Sequence, residues 1–87
     1  MRIAVSYTPY FVKQLKRLPY NLREEAIEKI ELFKDPKNHK MLRVHKLHGY
    51  LADQYSFSVN YHFRIVFEYL LKHGVLLHAI GNHDIYQ

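Results

Sequence analysis

The stretch Y-S-F-S-V-N-Y-H-F-R-I-V-F-E-Y-L, residues 55–70, decides the fold. Aromatic and β-branched residues recur here at every second position, the period of a strand with one buried face. Phe63, Ile65, Phe67 and Tyr69 share one face, and Arg64, Val66 and Glu68 share the other. The first set is expected to form a floor beneath helices, leaving Arg64 and Glu68 on an uncovered face. Lys72-His73-Gly74 reads as a hairpin turn, and Val75 to Ile80 as the strand that returns. That last strand ends in I-G-N-H-D-I-Y (80–86), a glycine turn carrying a histidine, an aspartate and a tyrosine.

Upstream the period lengthens. Arg2 to Ser6 suits a first strand. Thr8-Pro9 then opens a helix, since threonine caps well and proline is tolerated at the first helical position. Phe11, Val12, Leu15 and Leu18 follow at helical spacing, and Pro19 ends the run. Asn21 with Glu24 resembles a capping box for a second helix. Its buried stripe is Leu22, Ala26, Ile27, Ile30 and Phe33, and Asp35-Pro36 stops it. The expected architecture is therefore α+β in two layers. Its order is β-α-α-β-β-β, with an antiparallel sheet packed on a helical hairpin.

Composition narrows the class. Eighty-seven residues suit one domain spanning 1–87, with a thin core that buries about 60–65% of the chain's surface. No cysteine is present, which removes disulfides and thiolate metal sites. Met1 to Val5 is too short for a secretory leader. The longest apolar run, Tyr69 to Ile80, is broken by Lys72, His73 and Gly74 and falls short of the roughly 20 residues of a membrane span. A soluble, cytoplasmic protein without membrane partners is expected.

The net charge of +5 is unevenly spread. Residues 34–48 hold Lys34, Lys37, Lys40, Arg43 and Lys46 against Asp35 alone, with His39, His45 and His48 among them. Arg2, Lys13, Lys16 and Arg17 form a second basic block, and an acidic helix lies between the two. Such a distribution fits either a polyanion-binding face or a solvated lysine-rich surface.

Cutting RNA through its own 2′-hydroxyl needs a proton acceptor, a proton donor for the leaving 5′-oxygen, and positive charge on the phosphate. Histidine titrates in the right range, and arginine offers a planar fork to phosphate oxygens. The sequence supplies His45 and His48 on the basic segment, Arg64 on the strand, and His83 at the terminal turn. Each has a plainer reading: Arg64 paired with Glu68, His83 bonded to a turn carbonyl, His45 a simple phosphate contact. Lys40, Arg43, Lys46 and His48 are candidate RNA or phosphate contacts. His45 and His48 form an H-x-x-H pair, but strand alternation separates them and no third ligand has suitable spacing, so no metal site is expected. No cofactor is expected either. Of the aromatic run Tyr55, Phe57, Tyr61, Phe63, Phe67 and Tyr69, at least half should be core rather than a base-stacking platform.

Four segments, Y-T-P-Y-F-V-K-Q-L-K-R-L-P (7–19), H-K-L-H-G (45–49), Y-S-F-S-V-N-Y-H-F-R-I-V-F-E (55–68) and I-G-N-H-D-I-Y (80–86), resemble the RelE/ParE superfamily of toxins from bacterial toxin–antitoxin pairs. The resemblance covers most of the chain and looks nearest to the RelE- and YafQ-type nucleases. It implies a toxin of a type II system, a metal-independent endoribonuclease that cuts messenger RNA in the ribosomal A site. It also implies a cognate antitoxin in a hetero-oligomer, with mRNA and the ribosome as further partners. Matching positions imply catalytic roles for His45, Arg64 and His83, and base stacking for Tyr86. Tyr86 follows His83 by three residues, where relatives place the aromatic four residues on. The ParE branch, which shares the fold and poisons DNA gyrase without catalysis, is the alternative.

Overall fold

The computed structural model describes residues 2–51 and 53–82. The first strand, β1 (Ala4–Tyr7), leads into α1 (Pro9–Arg17). Thr8 caps α1: its Oγ1 accepts from the Phe11 N–H at 2.9 Å and donates to the His78 carbonyl at 3.2 Å. One hydroxyl thus starts the helix and ties it to the last strand.

The second helix, α2 (Tyr20–Phe33), begins one residue before the expected Asn21 cap. Pro19 takes the cap position and makes no side-chain hydrogen bond. Only Leu18 and Pro19 separate the helices, and the proline's fixed φ of −54° already starts the next turn. Ala26, Ile30 and Phe33 are buried as the spacing predicts, but Ile27 is 42% exposed on the flank of the stripe. Beyond α2, a 3₁₀ turn (Pro36–Asn38) opens under an Asp35 cap.

The sheet contains β2 (His45–Lys46), β3 (Tyr55–Ser58), β4 (Arg64–Tyr69) and β5 (Gly74–Gly81) besides β1, in the order β1-β5-β4-β3-β2. The four later strands form an antiparallel meander as expected, with one strand more than the expected order because the two-residue β2 pairs with β3. β1, however, joins β5 in parallel, so the sheet as a whole is mixed. The β1–α1–α2 excursion carries the chain across one face of the sheet, which lets the first strand lie beside the last.

Phe11, Phe33, Phe57, Ile65, Phe67 and Leu77, all completely buried, fill the space between helices and sheet. Phe33 is the hub, stacked on Phe57 with ring centroids 4.3 Å apart and met edge-on by Phe67 at 4.8 Å. The alternation read from residues 63–69 holds as far as Phe67, while Tyr69 lies 47% exposed at the rim. In β5, Phe67 pairs with Leu77 and Val66 with Ala79, so His78 is an extra, bulged residue. That insertion turns Ile80, rather than Ala79, into the core. The Ile80 N–H is held by the Gln14 side chain of α1 at 2.8 Å.

The second face of the sheet is not bare. His45, Ser56, Val66 and Ala79 form one cross-strand row, in which Ser56 and Val66 are buried. No helix among the described residues is long and apolar enough to cross a membrane.

Candidate functional site

A cleft of about 390 Å³ opens at one end of the sheet, lined by Met41, Arg43, Ser58, Asn60, Tyr61 and Arg64. Two loops build it. The first is the turn after α2, in which the Leu42 carbonyl accepts from the Ser58 N–H at 2.7 Å and so fastens Met41–Arg43 alongside β3. Arg43 takes a left-handed backbone conformation there, with φ 58°.

The second loop joins β3 to β4 and is organised by Asn60. Its Oδ1 accepts from the N–H groups of both His62 and Phe63 at 2.9 Å, an Asx turn. Its Nδ2 donates to Glu25 of α2 at 2.7 Å. Arg64 completes the loop: Nη1 donates to the Asn60 carbonyl at 2.9 Å, with the carbonyls of Tyr61 and Phe63 at 3.3 and 3.4 Å. These bonds engage one end of the guanidinium. Its Nε and Nη2 donors have no partner among the described residues, and no carboxylate there pairs with either Arg64 or Arg43. Glu68, the alternative partner for Arg64, is instead bonded to His78 Nε2 at 2.6 Å. Among the described residues the cleft therefore gathers positive charge with no anion lining it, an arrangement suited to phosphate.

His45 lies beside the cleft without lining it. It shares a sheet face with Arg64, two strands across and two residues along, or about 12 Å between Cα positions by strand geometry. Its Nδ1 lies 2.8 Å from the Arg43 carbonyl. A carbonyl only accepts, so the neutral ring carries its proton on Nδ1 and presents the Nε2 lone pair outward.

Among the remaining sequence candidates, Lys40, Lys46 and His48 are exposed and none lines the cleft. Lys46 pairs with Tyr55, so alternation turns it to the face opposite His45. His83 and Tyr86 lie outside the described residues. The last strand residue, Gly81, is in register with Arg64. His39 is structural, stacked on Phe33 at 4.6 Å with Nε2 2.8 Å from the Phe33 carbonyl.

Sequence reading missed Met41, Ser58, Asn60 and Tyr61 as cleft residues. Tyr61 falls inside the alternating stretch 55–70, whereas β3 ends at Ser58 and β4 begins only at Arg64. The available signal was Asn60, a turn former placed between two strand-like runs.

No protein-family model matches the chain, and no curated protein matches it. Solved structures do. The toxin–antitoxin complex RelBE2 from Mycobacterium tuberculosis matches with a TM-score of 0.73 at 19% identity, covering 95% of this chain and 100% of that one. The archaeal RelE–RelB complex from Pyrococcus horikoshii OT3 matches with 0.73 at 20% identity, over 94% and 96%. YafQ from E. coli matches with 0.68 at 11% identity, over 98% of each chain. The architecture is therefore the α+β fold of the RelE-type toxins.

Proposed function

We propose that this chain is the toxin of a type II toxin–antitoxin pair and acts as an endoribonuclease on messenger RNA in the ribosomal A site. The observation that carries the reading is the Arg43–Arg64 cleft, lined by no carboxylate among the described residues, with His45 Nε2 beside it. In this reading Arg64 and Arg43 bind the scissile phosphate, and the free donors of Arg64 neutralise the charge that builds on its oxygens. His45 Nε2 accepts the 2′-hydroxyl proton as the O2′–P bond forms and the P–O5′ bond breaks. His83 donates the proton that the departing 5′-oxygen requires. The products are a 2′,3′-cyclic phosphate and a 5′-hydroxyl, and none of these steps requires a metal. Tyr86 stacks on a base, while Lys40, Lys46 and His48 hold the flanking backbone.

The antitoxin presents an acidic segment to the positive cleft. Support for such a partner comes from two matched structures that are complexes of toxin with antitoxin. Induced expression followed by mapping of mRNA 5′ ends tests the reading. In-frame cuts within translated codons, abolished by Arg64→Ala or His83→Ala and suppressed by the adjacent open reading frame, are expected. Intact messages with gyrase-linked DNA breaks would replace the nuclease with a ParE-type poison.

A further inference from the structure

Tyr61 stands out among the aromatic residues. Its ring is 84% exposed and lines the cleft, contacting only the neighbouring His62 edge-on at 5.2 Å among the described rings. Exposed tyrosines usually ride on loose loops. Here the backbone on either side is locked, by the Asx turn of Asn60, the Asn60–Glu25 bond to α2, and the Arg64 guanidinium. The Tyr61 carbonyl itself faces Arg64 Nη1 at 3.3 Å. The backbone that carries this flat ring is thus fixed beside the phosphate-binding charge of Arg64. Met41, 61% exposed, lines the same cleft and adds a polarisable side chain.

We propose that Tyr61 is the stacking platform for the nucleobase next to the phosphate held by Arg64, and that it makes the cleft selective for single-stranded RNA. An aromatic ring adjoining a fixed cation matches one nucleotide: base on the ring, phosphate on the fork. The cleft volume of about 390 Å³ falls within the range of small-ligand sites, about 300–1,000 Å³. Only an unstacked base can reach the ring, so paired RNA is excluded. The identity of the ligand as RNA rests on the function proposed above, whereas the platform is testable by binding alone.

The probe is a short single-stranded 2′-O-methyl RNA bearing one 2-aminopurine, which 2′-hydroxyl attack cannot cut. The full chain should bind it more tightly than the corresponding duplex and quench the 2-aminopurine. Tyr61→Ala and Tyr61→Leu should weaken binding by about 5- to 150-fold, the range for losing one stacked base. Tyr61→Phe, which keeps the ring, should bind like the unaltered protein, and the melting temperatures of all three variants should stay close to it. Equal binding by Tyr61→Ala, or no preference for single strands, overturns the platform. A parallel assay on unmodified RNA separates the two ideas. Absence of cleavage with Tyr61-dependent binding defeats the nuclease alone, and cleavage indifferent to Tyr61 defeats the platform alone.

Discussion

His78 Nε2 lies 2.6 Å from the Glu68 carboxylate, an ion pair when the ring is protonated, and His78 is the bulged residue of β5. Glu68 sits on the same strand face as Arg64, four residues or about 13 Å along, and is bonded to His78, while no carboxylate among the described residues pairs with Arg64. Among the described residues the charge of Arg43 and Arg64 is therefore uncompensated.

Glu68→Gln should therefore leave RNA cleavage within about twofold, because it touches neither cleft nor phosphate. Arg64→Ala should lower the cleavage rate by about 10²–10³-fold, as removal of one charge-stabilising donor does elsewhere. Arg64→Lys should recover little, since lysine has no fork with which to hold the loop carbonyls and a phosphate together. Single-turnover cleavage of one RNA substrate measures all three. A large loss in Glu68→Gln would mean the pair supports the site.

Phe33→Ala should destabilise the fold by about 3–5 kcal/mol. Phe33 is completely buried and stacks on Phe57 and His39 while meeting Phe67 edge-on, so its removal opens a cavity shared by helix α2 and the sheet. Urea unfolding monitored by circular dichroism gives the value. A cost below about 1 kcal/mol would show that neighbouring rings collapse into the space.

Asn60→Ala removes the acceptor for two backbone N–H groups and the donor to Glu25. A loss of about 1–3 kcal/mol is expected from the groups left unpaired. RNA binding should weaken with it, because the same loop carries Tyr61 and supplies the carbonyls that orient Arg64. Equilibrium unfolding and oligonucleotide titration together test both consequences. Unchanged binding in a destabilised variant would uncouple the loop from the cleft.

Burial raises the pKa of the Tyr69 phenol above its ordinary 10.0, and the neighbouring Tyr55 adds to the effect. The folded protein then holds this proton more tightly than the unfolded chain does. The associated stability is fully present below about pH 10 and is lost as pH rises through the folded value. Tyr69→Phe keeps the edge-on contacts with Tyr55 and Phe67 but has no proton to lose. Unfolding free energies compared at pH 8 and pH 11 should shift in favour of the variant at the higher pH. A constant difference would rule out this linkage.

Much of the architecture is legible without coordinates. The alternation from Phe63 to Phe67 marks a half-buried strand, Thr8-Pro9 marks a helix start, and the stripe from Leu22 to Phe33 marks the helix laid across it. Such signals are local, because strand and helix periods are properties of neighbouring residues. The helix start at Tyr20 shows the limit even there. Asn21 has the chemistry of a cap, but the short Leu18-Pro19 connection settles the boundary sterically.

Arg64 and the basic turn containing Arg43 are visible in the sequence as residues suited to phosphate. Their meeting with Asn60 and Tyr61 in one cleft is not, since it depends on the Leu42–Ser58 hydrogen bond between distant segments. The parallel seat of β1, the bulge at His78 and the capture of Glu68 were likewise decided only in three dimensions. Composition and period dictate which residues seek burial. Which charges are neutralised and which stay free is settled by register between strands, where a single extra residue redirects every side chain that follows.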